Sequence, residues 1–454
     1  MKILLISTYE LGRQPFGLAS PAAWLREARH DVTCQDLSQE RLNPEAVRAA
    51  ELICFYLPMH TATRIAVRVI ERARQLNADA HLCCYGLYAP LNADLLRSAG
   101  IGTIIGGEFE AALVELARRL SSDESAFNGN GIHLERLRFR APDRAGLPGL
   151  AKYARLRLPD GSNRVVGYTE ASRGCLHRCR HCPIVPVYNG AFRIVQRQVV
   201  LEDIRRQVAV GAEHITFGDP DFFNGVGHAL AIVEALHREF PRLTYDATIK
   251  IEHLLKHAQH LRPLQQTGCA FVVSAVESVD DDVLRLLDKD HTRADFVRAV
   301  ELMRSAGLPL TPTFIPFTPW ATLASYADLL RIIAELDLIA NVPPVQLSIR
   351  LLVPAGSKLL EIPELGDRLG EFDRNALSYR WTSEDPRVDE LQREVEAMVQ
   401  EQELLGLDRA SIFESACNLL NRKWHEFETD VLLKDMPPRT ARAAIPYLTE
   451  PWYC

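Results

Sequence analysis

The sequence predicts an α/β protein in three parts: a doubly wound, Rossmann-like first domain, a partial (β/α)6 barrel of the TIM type, and a helical C-terminal region. Three observations predict it. Short apolar runs alternate with amphipathic stretches through the first 120 residues, six strand-then-helix steps follow between about 164 and 355, and the last 90 residues lose that alternation.

In the first part, residues 2–7, 51–57, 80–86 and 102–106 read as buried strands, and 62–75 and 109–120 as helices. Continuous apolar strands separated by helices imply a parallel sheet covered on both faces, with ligands at the carboxyl ends of its strands. The domain is expected over 1–125, with 126–163, richer in Ser, Asn, Gly, Pro and Arg, as a linker. The barrel is expected over 164–365, with strands at 164–169, 214–217, 245–249, 270–276, 309–315 and 345–352. Its helices are expected at 199–210, 226–240, 252–266, 294–306 and 323–336. The region 366–454 is read as helical, through 386–402 and 411–424.

Length and composition fit this picture. The chain has 454 residues, 47% apolar and 24% charged, enough for several cores. A net charge of −7 gives no broad basic surface, so nucleic acid is not an expected partner. There is no apolar run of about 18 residues, and the apolar start meets Glu10 too early for a signal peptide, so no membrane association is expected. Ten cysteines, mostly isolated among apolar residues, suit a reduced cytoplasmic setting better than a disulfide framework.

Three of those cysteines stand together in Gly174-Cys175-Leu176-His177-Arg178-Cys179-Arg180-His181-Cys182-Pro183. The spacing is too short to staple a fold but gathers three thiolates at one inorganic centre. Zinc completed by His177 or His181 is the competing reading, but no second cysteine knuckle follows. Three thiolates on a 4Fe–4S cluster leave one iron free to bind a further ligand. Placed after the first barrel strand, this loop resembles the cluster loop of the radical S-adenosylmethionine (SAM) enzymes.

The resemblance implies a 4Fe–4S cluster on Cys175, Cys179 and Cys182, with SAM bound to it, an outside electron donor of the flavodoxin or ferredoxin type, and cleavage of SAM to a 5′-deoxyadenosyl radical. Gly218-Asp219-Pro220-Asp221 is similar to the family's turn that holds the methionine amino group. Glu277-Ser278 and Lys289-Asp290-His291-Thr292 are similar to its ribose-facing segment, and Arg350 is expected to pair with the SAM carboxylate. No side chain is expected to act as a general base.

A sheet domain ahead of such a barrel resembles the cobalamin-binding branch of the superfamily. Gly106-Gly107-Glu108-Phe109-Glu110 is similar to the turn closing those domains, Gly86 falls at their glycine loop, and Thr8 lies after the first strand. Thr8, Gly86, Gly106, Gly107 and Glu108 are therefore expected to face cobalamin. The lower histidine ligand of many such domains is missing from Ser7-Thr8-Tyr9-Glu10-Leu11-Gly12. The implied reaction is cobalamin-dependent methyl transfer to an unactivated carbon or phosphorus of a small molecule or peptide. A corrin-free radical SAM rearrangement, cyclisation or C–S bond-forming enzyme, and a non-catalytic iron–sulfur redox protein, are the other readings. Cys34, Cys54, Cys83 and Cys84 do not match the second-cluster pattern of methylthiotransferases. The ending Pro451-Trp452-Tyr453-Cys454 resembles the radical SAM group with a Cys-Sec-Ala-Glu-Pro or Cys-Cys-Ala-Glu-Pro tail. It implies truncation at a selenocysteine codon and a redox role for Cys454.

Overall fold

A computed structural model describes residues 1–122, 131–424 and 445–449, so the Cys454 tail lies outside the described residues. Strands β1 (Lys2–Ser7), β2 (Asp31–Asp36), β3 (Leu52–Tyr56), β4 (His81–Tyr85), β5 (Thr103–Gly107) and β6 (Gly131–His133) form one parallel sheet in the order β2-β1-β3-β4-β5-β6. Each strand turns alternate residues to opposite layers. Ile3, Leu5, Cys54 and Tyr56 pack with Leu18, Leu25 and Leu113 on one face, while Leu4, Ile6, Ile53 and Phe55 pack with Ile70 and Leu96 on the other. Burial on both sides is why these strands read as unbroken apolar runs.

Sequence reading missed β2 and the helix Phe16–Glu27. The strand lies at the sheet edge and exposes Asp31 and Thr33, so it carries no apolar run. The helix is disguised by Gly17 and Pro21. Pro21 has no N–H to give the Gly17 carbonyl one turn earlier, and the Tyr85 hydroxyl donates to that carbonyl instead, at 2.7 Å. Gly17 itself is required, because a Cβ there would lie 2.1 Å from the Tyr56 ring.

The second sheet contains β7 (Arg155–Arg157), β8 (Asn163–Thr169), β11 (His214–Phe217), β12 (Thr244–Thr248), β13 (Cys269–Glu277), β14 (Leu310–Phe314) and β17 (Tyr447–Leu448). Its order is β14-β13-β12-β11-β8-β7-β17, with β8 and β11–β14 parallel and β7 and β17 antiparallel additions at one edge. A small antiparallel pair, β9 (Ser172–Gly174) with β10 (Phe192–Ile194), brackets the cysteine loop. The stretch expected as a linker contributes β6 to the first sheet and β7 to the second.

The expected sixth barrel strand at 345–352 is corrected. Pro343 and Pro344 open a 3₁₀ turn, Pro344–Leu347, and only a single bridge, Phe317 with Arg350, remains of the sixth step. The expected helix 252–266 is interrupted at His257 and resumes as Leu261–Gln266, with Pro263 in its first turn. C-terminal helices Pro386–Leu404 and Arg409–Lys423 pack Val388, Leu391, Ile412 and Phe413 into the barrel core. The hairpin β15 (Leu369–Asp373) and β16 (Ser378–Trp381), in a region read as helical, was not foreseen.

Candidate metal centre

The cysteine loop leaves β9 through Gly174, whose φ of 73° and whose approach to the Ala191 carbonyl (2.5 Å from an ideal Cβ) exclude any larger residue. A short helix, Val185–Tyr188, returns the chain to β10. The loop is pinned to neighbouring elements. The Arg180 N–H donates to the Leu287 carbonyl (2.9 Å), and its guanidinium donates to the carbonyls of Arg285 (3.2 Å) and Leu286 (2.9 Å). The Leu176 N–H donates to Asn224 Oδ1 (3.3 Å).

Cys175 and Cys179 are buried and Cys182 is half-buried. Burial, reinforced by the neighbouring Cys179 and Cys175 sulfurs, pushes the Cys182 thiol up to about 12. Burial also raises the Cys175 thiol, with Cys179 adding to it. Three crowded, desolvated sulfurs favour a bound cationic metal over free thiolates, which is the donor set a 4Fe–4S cluster needs. Two lysines reinforce it: Lys250, which sequence reading passed over, and Lys289 of the segment after β13. Lys250 Nζ stands 3.7 Å from Cys179 Sγ. Lys289 is buried at 3% side-chain exposure, and the charge of Cys179 and Cys182 helps hold it protonated, after Glu277.

Glu277 ends β13 at φ 68°, where the β13–β14 register shifts. Its Oε1 lies 3.2 Å from Lys289 Nζ and 3.2 Å from His181 Nε2. Burial alone would raise this carboxyl, but Lys289 and then His181 outweigh it and hold Glu277 at about 2. Glu277 thus links the cysteine loop to the Lys289 segment. Ser278 accepts from the Asp280 N–H (3.1 Å), and Thr292 is spent on a reciprocal cap with Asp295 at the helix Arg293–Ser305.

Gly218 sits at the end of β11, where a Cβ would fall 1.7 Å from Tyr168 Oη. Asp219 accepts from Ser172 Oγ (2.5 Å) and the Ala171 N–H (2.9 Å), tying β11 to the strand that leads into the loop. Arg350 is engaged elsewhere. It pairs with Asp389 (2.6 Å), donates to the Trp381 carbonyl (2.5 Å) and lies over the Trp381 ring, fastening the C-terminal helix to the barrel.

The residues expected to face cobalamin have internal partners. Thr8 Oγ1 donates to the Ala62 carbonyl (2.8 Å). Ideal Cβ atoms on Gly86, Gly106 and Gly107 would meet the Leu57 carbonyl (2.9 Å), Pro90 (2.7 Å) and the His133 carbonyl (2.1 Å). Tyr56, Tyr85 and Phe109 pack together at the strand ends, with ring centroids 5.0–5.9 Å apart. Glu108 is fully enclosed. Its Oε1 accepts from Tyr188 Oη (3.0 Å) and its Oε2 meets Arg173 (3.3 Å). Arg173, two residues ahead of Cys175, also grips Glu110 (2.7 Å) and Glu170 (2.6 Å), and Glu110 accepts from Ser20 Oγ (2.6 Å). The closing turn of the first domain is therefore bonded directly to the base of the cysteine loop.

A three-cysteine loop beside the carboxyl ends of a partial parallel barrel is the arrangement that radical SAM enzymes share. Residues 169–332 match the Radical SAM superfamily, and the chain carries that domain. The hopanoid C-3 methylase of Methylococcus capsulatus is 26% identical over 335 residues, covering 70% of this chain and 64% of that protein. The threonylcarbamoyladenosine tRNA methylthiotransferase MtaB of Thermotoga maritima is 20% identical over 282 residues, covering 60% of each. The chain thus spans a little under two thirds of these relatives. Among solved structures, the cobalamin-dependent SAM radical enzyme OxsB with aqua-cobalamin superposes with a TM-score of 0.72 at 14% identity, over 96% of this chain and 75% of that one. The radical SAM methyltransferase TsrM of Kitasatospora setae, with cobalamin and a [4Fe-4S] cluster, gives a TM-score of 0.61 at 16% identity, over 74% and 73%. These likenesses establish a shared two-domain fold.

Cys34, Cys54, Cys83 and Cys84 lie in the first sheet within its two apolar layers. Such sites suit small buried hydrophobes, not a second cluster. Among the described residues no helix is long and apolar enough to cross a membrane.

Proposed function

We propose that this protein is a radical SAM enzyme catalysing cobalamin-dependent methyl transfer to an unactivated carbon or phosphorus. One observation carries the radical SAM part: Cys175, Cys179 and Cys182 converge on one loop above the parallel sheet, with Lys250 and Lys289 beside them. The methyl-transfer part rests on the likeness to methylating relatives and on the shared two-domain fold.

Cys175, Cys179 and Cys182 would hold the cluster, which, with SAM on its free iron and one electron supplied from outside, provides a radical able to take a hydrogen atom from an inert carbon. The chain's own residues hold the geometry. Asp219 and Arg180 fix the loop to β11 and to the segment after β13. Lys250 and Lys289 offset the negative charge of the thiolates, and Glu277 fixes Lys289 and orients His181.

The glycine-rich edge of the first sheet would hold the corrin, and the segment Ser7–Gly12 after β1 would offer it no imidazole. Tyr56, Tyr85 and Phe109 pack against one another at the strand ends beside that edge. That packing favours a second reading, a radical SAM enzyme whose first domain is a scaffold without corrin.

Anaerobic reconstitution with iron, sulfide and hydroxocobalamin tests both. The methyltransferase reading expects iron–sulfur absorbance, 5′-deoxyadenosine after dithionite and SAM, and bound corrin after gel filtration. Cluster and 5′-deoxyadenosine without corrin select the scaffold reading. A chain that keeps its colour after replacement of all three cysteines by alanine refutes both.

A further inference from the structure

Beside the cysteine loop, three side chains from successive strand ends converge without making hydrogen bonds to one another. His177 comes from the loop itself, Asp221 from the turn after β11, and His253 from the helix Ile251–Lys256 after β12. Asp221 Oδ2 lies 2.6 Å from His253 Nδ1 and 3.5 Å from His177 Nε2. The three atoms lie within 4.8 Å of one another. Side-chain exposures are 0% for Asp221, 8% for His253 and 10% for His177. All three facing atoms are buried, and none meets hydrogen-bond geometry with any partner. Buried polar atoms are seldom left in that state unless something absent satisfies them.

We propose that His177, Asp221 and His253 form a mononuclear site for a divalent transition-metal ion, separate from the iron–sulfur cluster. Two imidazole nitrogens and one carboxylate oxygen suit zinc or ferrous iron and leave further positions open. The surroundings have the form that ligating histidines require. The far nitrogen of His177, Nδ1, faces Glu252 Oε2 at 3.5 Å and Asp290 Oδ2 at 3.6 Å, carboxylates placed to fix its tautomer and ring orientation. The other oxygen of Asp221 accepts from the Phe223 N–H (3.2 Å), which leaves Oδ2 turned toward the imidazoles. The His177 and His253 rings meet nearly edge to face, with centroids 4.9 Å apart and an interplanar angle of 63°. An ion here ties the cysteine loop to the ends of β11 and β12 and presents an open coordination position next to the cluster.

The test uses the anaerobically reconstituted protein, dialysed against micromolar zinc chloride and analysed for zinc, iron and sulfide. The expected result is one zinc per chain in addition to the cluster, with affinity at least tenfold weaker in His253→Ala and Asp221→Asn at unchanged sulfide content. The variant lacking Cys175, Cys179 and Cys182 is expected to keep that zinc, which separates failure of this site from failure of the cluster assignment. Zinc X-ray absorption on the unmutated protein should show nitrogen and oxygen neighbours at about 2.0–2.1 Å and no sulfur at about 2.3 Å. That measurement does not depend on whether a variant folds. Zinc that disappears only with the cysteines, sulfur in the zinc shell, or no zinc beyond the cluster would overturn the proposal.

Discussion

Replacing Arg173 by methionine should unseat the two domains from each other. The guanidinium is 8% exposed and contacts Glu108, Glu110 and Glu170, whose side chains are 0%, 0% and 13% exposed. Methionine preserves much of the volume but leaves three enclosed carboxylates without their cation. Removing one partner of a buried ion pair costs about 3–5 kcal/mol. At about 2–4 °C per kcal/mol for a large domain, the melting temperature should fall by about 6–20 °C. Lysine at this position, a point charge without the planar fork, should lose less. An anaerobic melt of reconstituted protein, followed by cluster absorbance and far-ultraviolet circular dichroism, reads the change. Glu108 adds a pH signature. Burial raises it to about 7 against an ordinary 4.5, despite the opposing pull of Arg173. Folding therefore favours its protonated form, and stability is highest below about pH 4.5 and declines as pH rises through 7. Glu108→Gln should flatten that decline. A shift below about 2 °C in Arg173→Met, or an unchanged pH slope in Glu108→Gln, would refute the assigned role of this network.

Other perturbations should be equally legible. Lys289→Met removes a positive charge that acts on the Cys179 and Cys182 sulfurs, so the cluster potential should drop, on the order of 100 mV, in an EPR-monitored titration. Gly218→Ala drives a methyl into Tyr168 Oη and should lower the melting temperature and the cluster yield, with partial recovery on adding Tyr168→Phe. Tyr85→Phe leaves the Gly17 carbonyl without its donor and should cost about 1–3 kcal/mol in chemical denaturation.

The second sheet was the most legible part of the chain, because its short buried parallel strands recur at regular intervals between amphipathic helices. His214–Phe217 is found at its expected bounds, and β12–β14 within one residue of theirs. Errors fell where another force took over: the edge strand β2, the proline-bearing helix Phe16–Glu27, and the stretch after Pro343 that alternates like a strand but is held as a turn. The cysteine trio could be found because its three sulfurs are close in sequence as well as in space. Arg173 and Glu108 are 65 residues apart, and Glu277 and His181 are 96 apart, so no local pattern announces either contact. Nor does a lone arginine after a strand indicate its partner within the chain: Asp389, which Arg350 pairs with, lies 39 residues further on.

The bond between Arg173 and the Gly106–Glu110 turn means that the two halves are not interchangeable modules. A chimera that sets this barrel behind a first domain lacking the paired acids would bury a guanidinium against neutral surface. The reverse graft would bury acids facing no cation. Recombination within such proteins therefore survives only when the acidic turn and the arginine travel together, so lineages that exchange one without the other should be scarce.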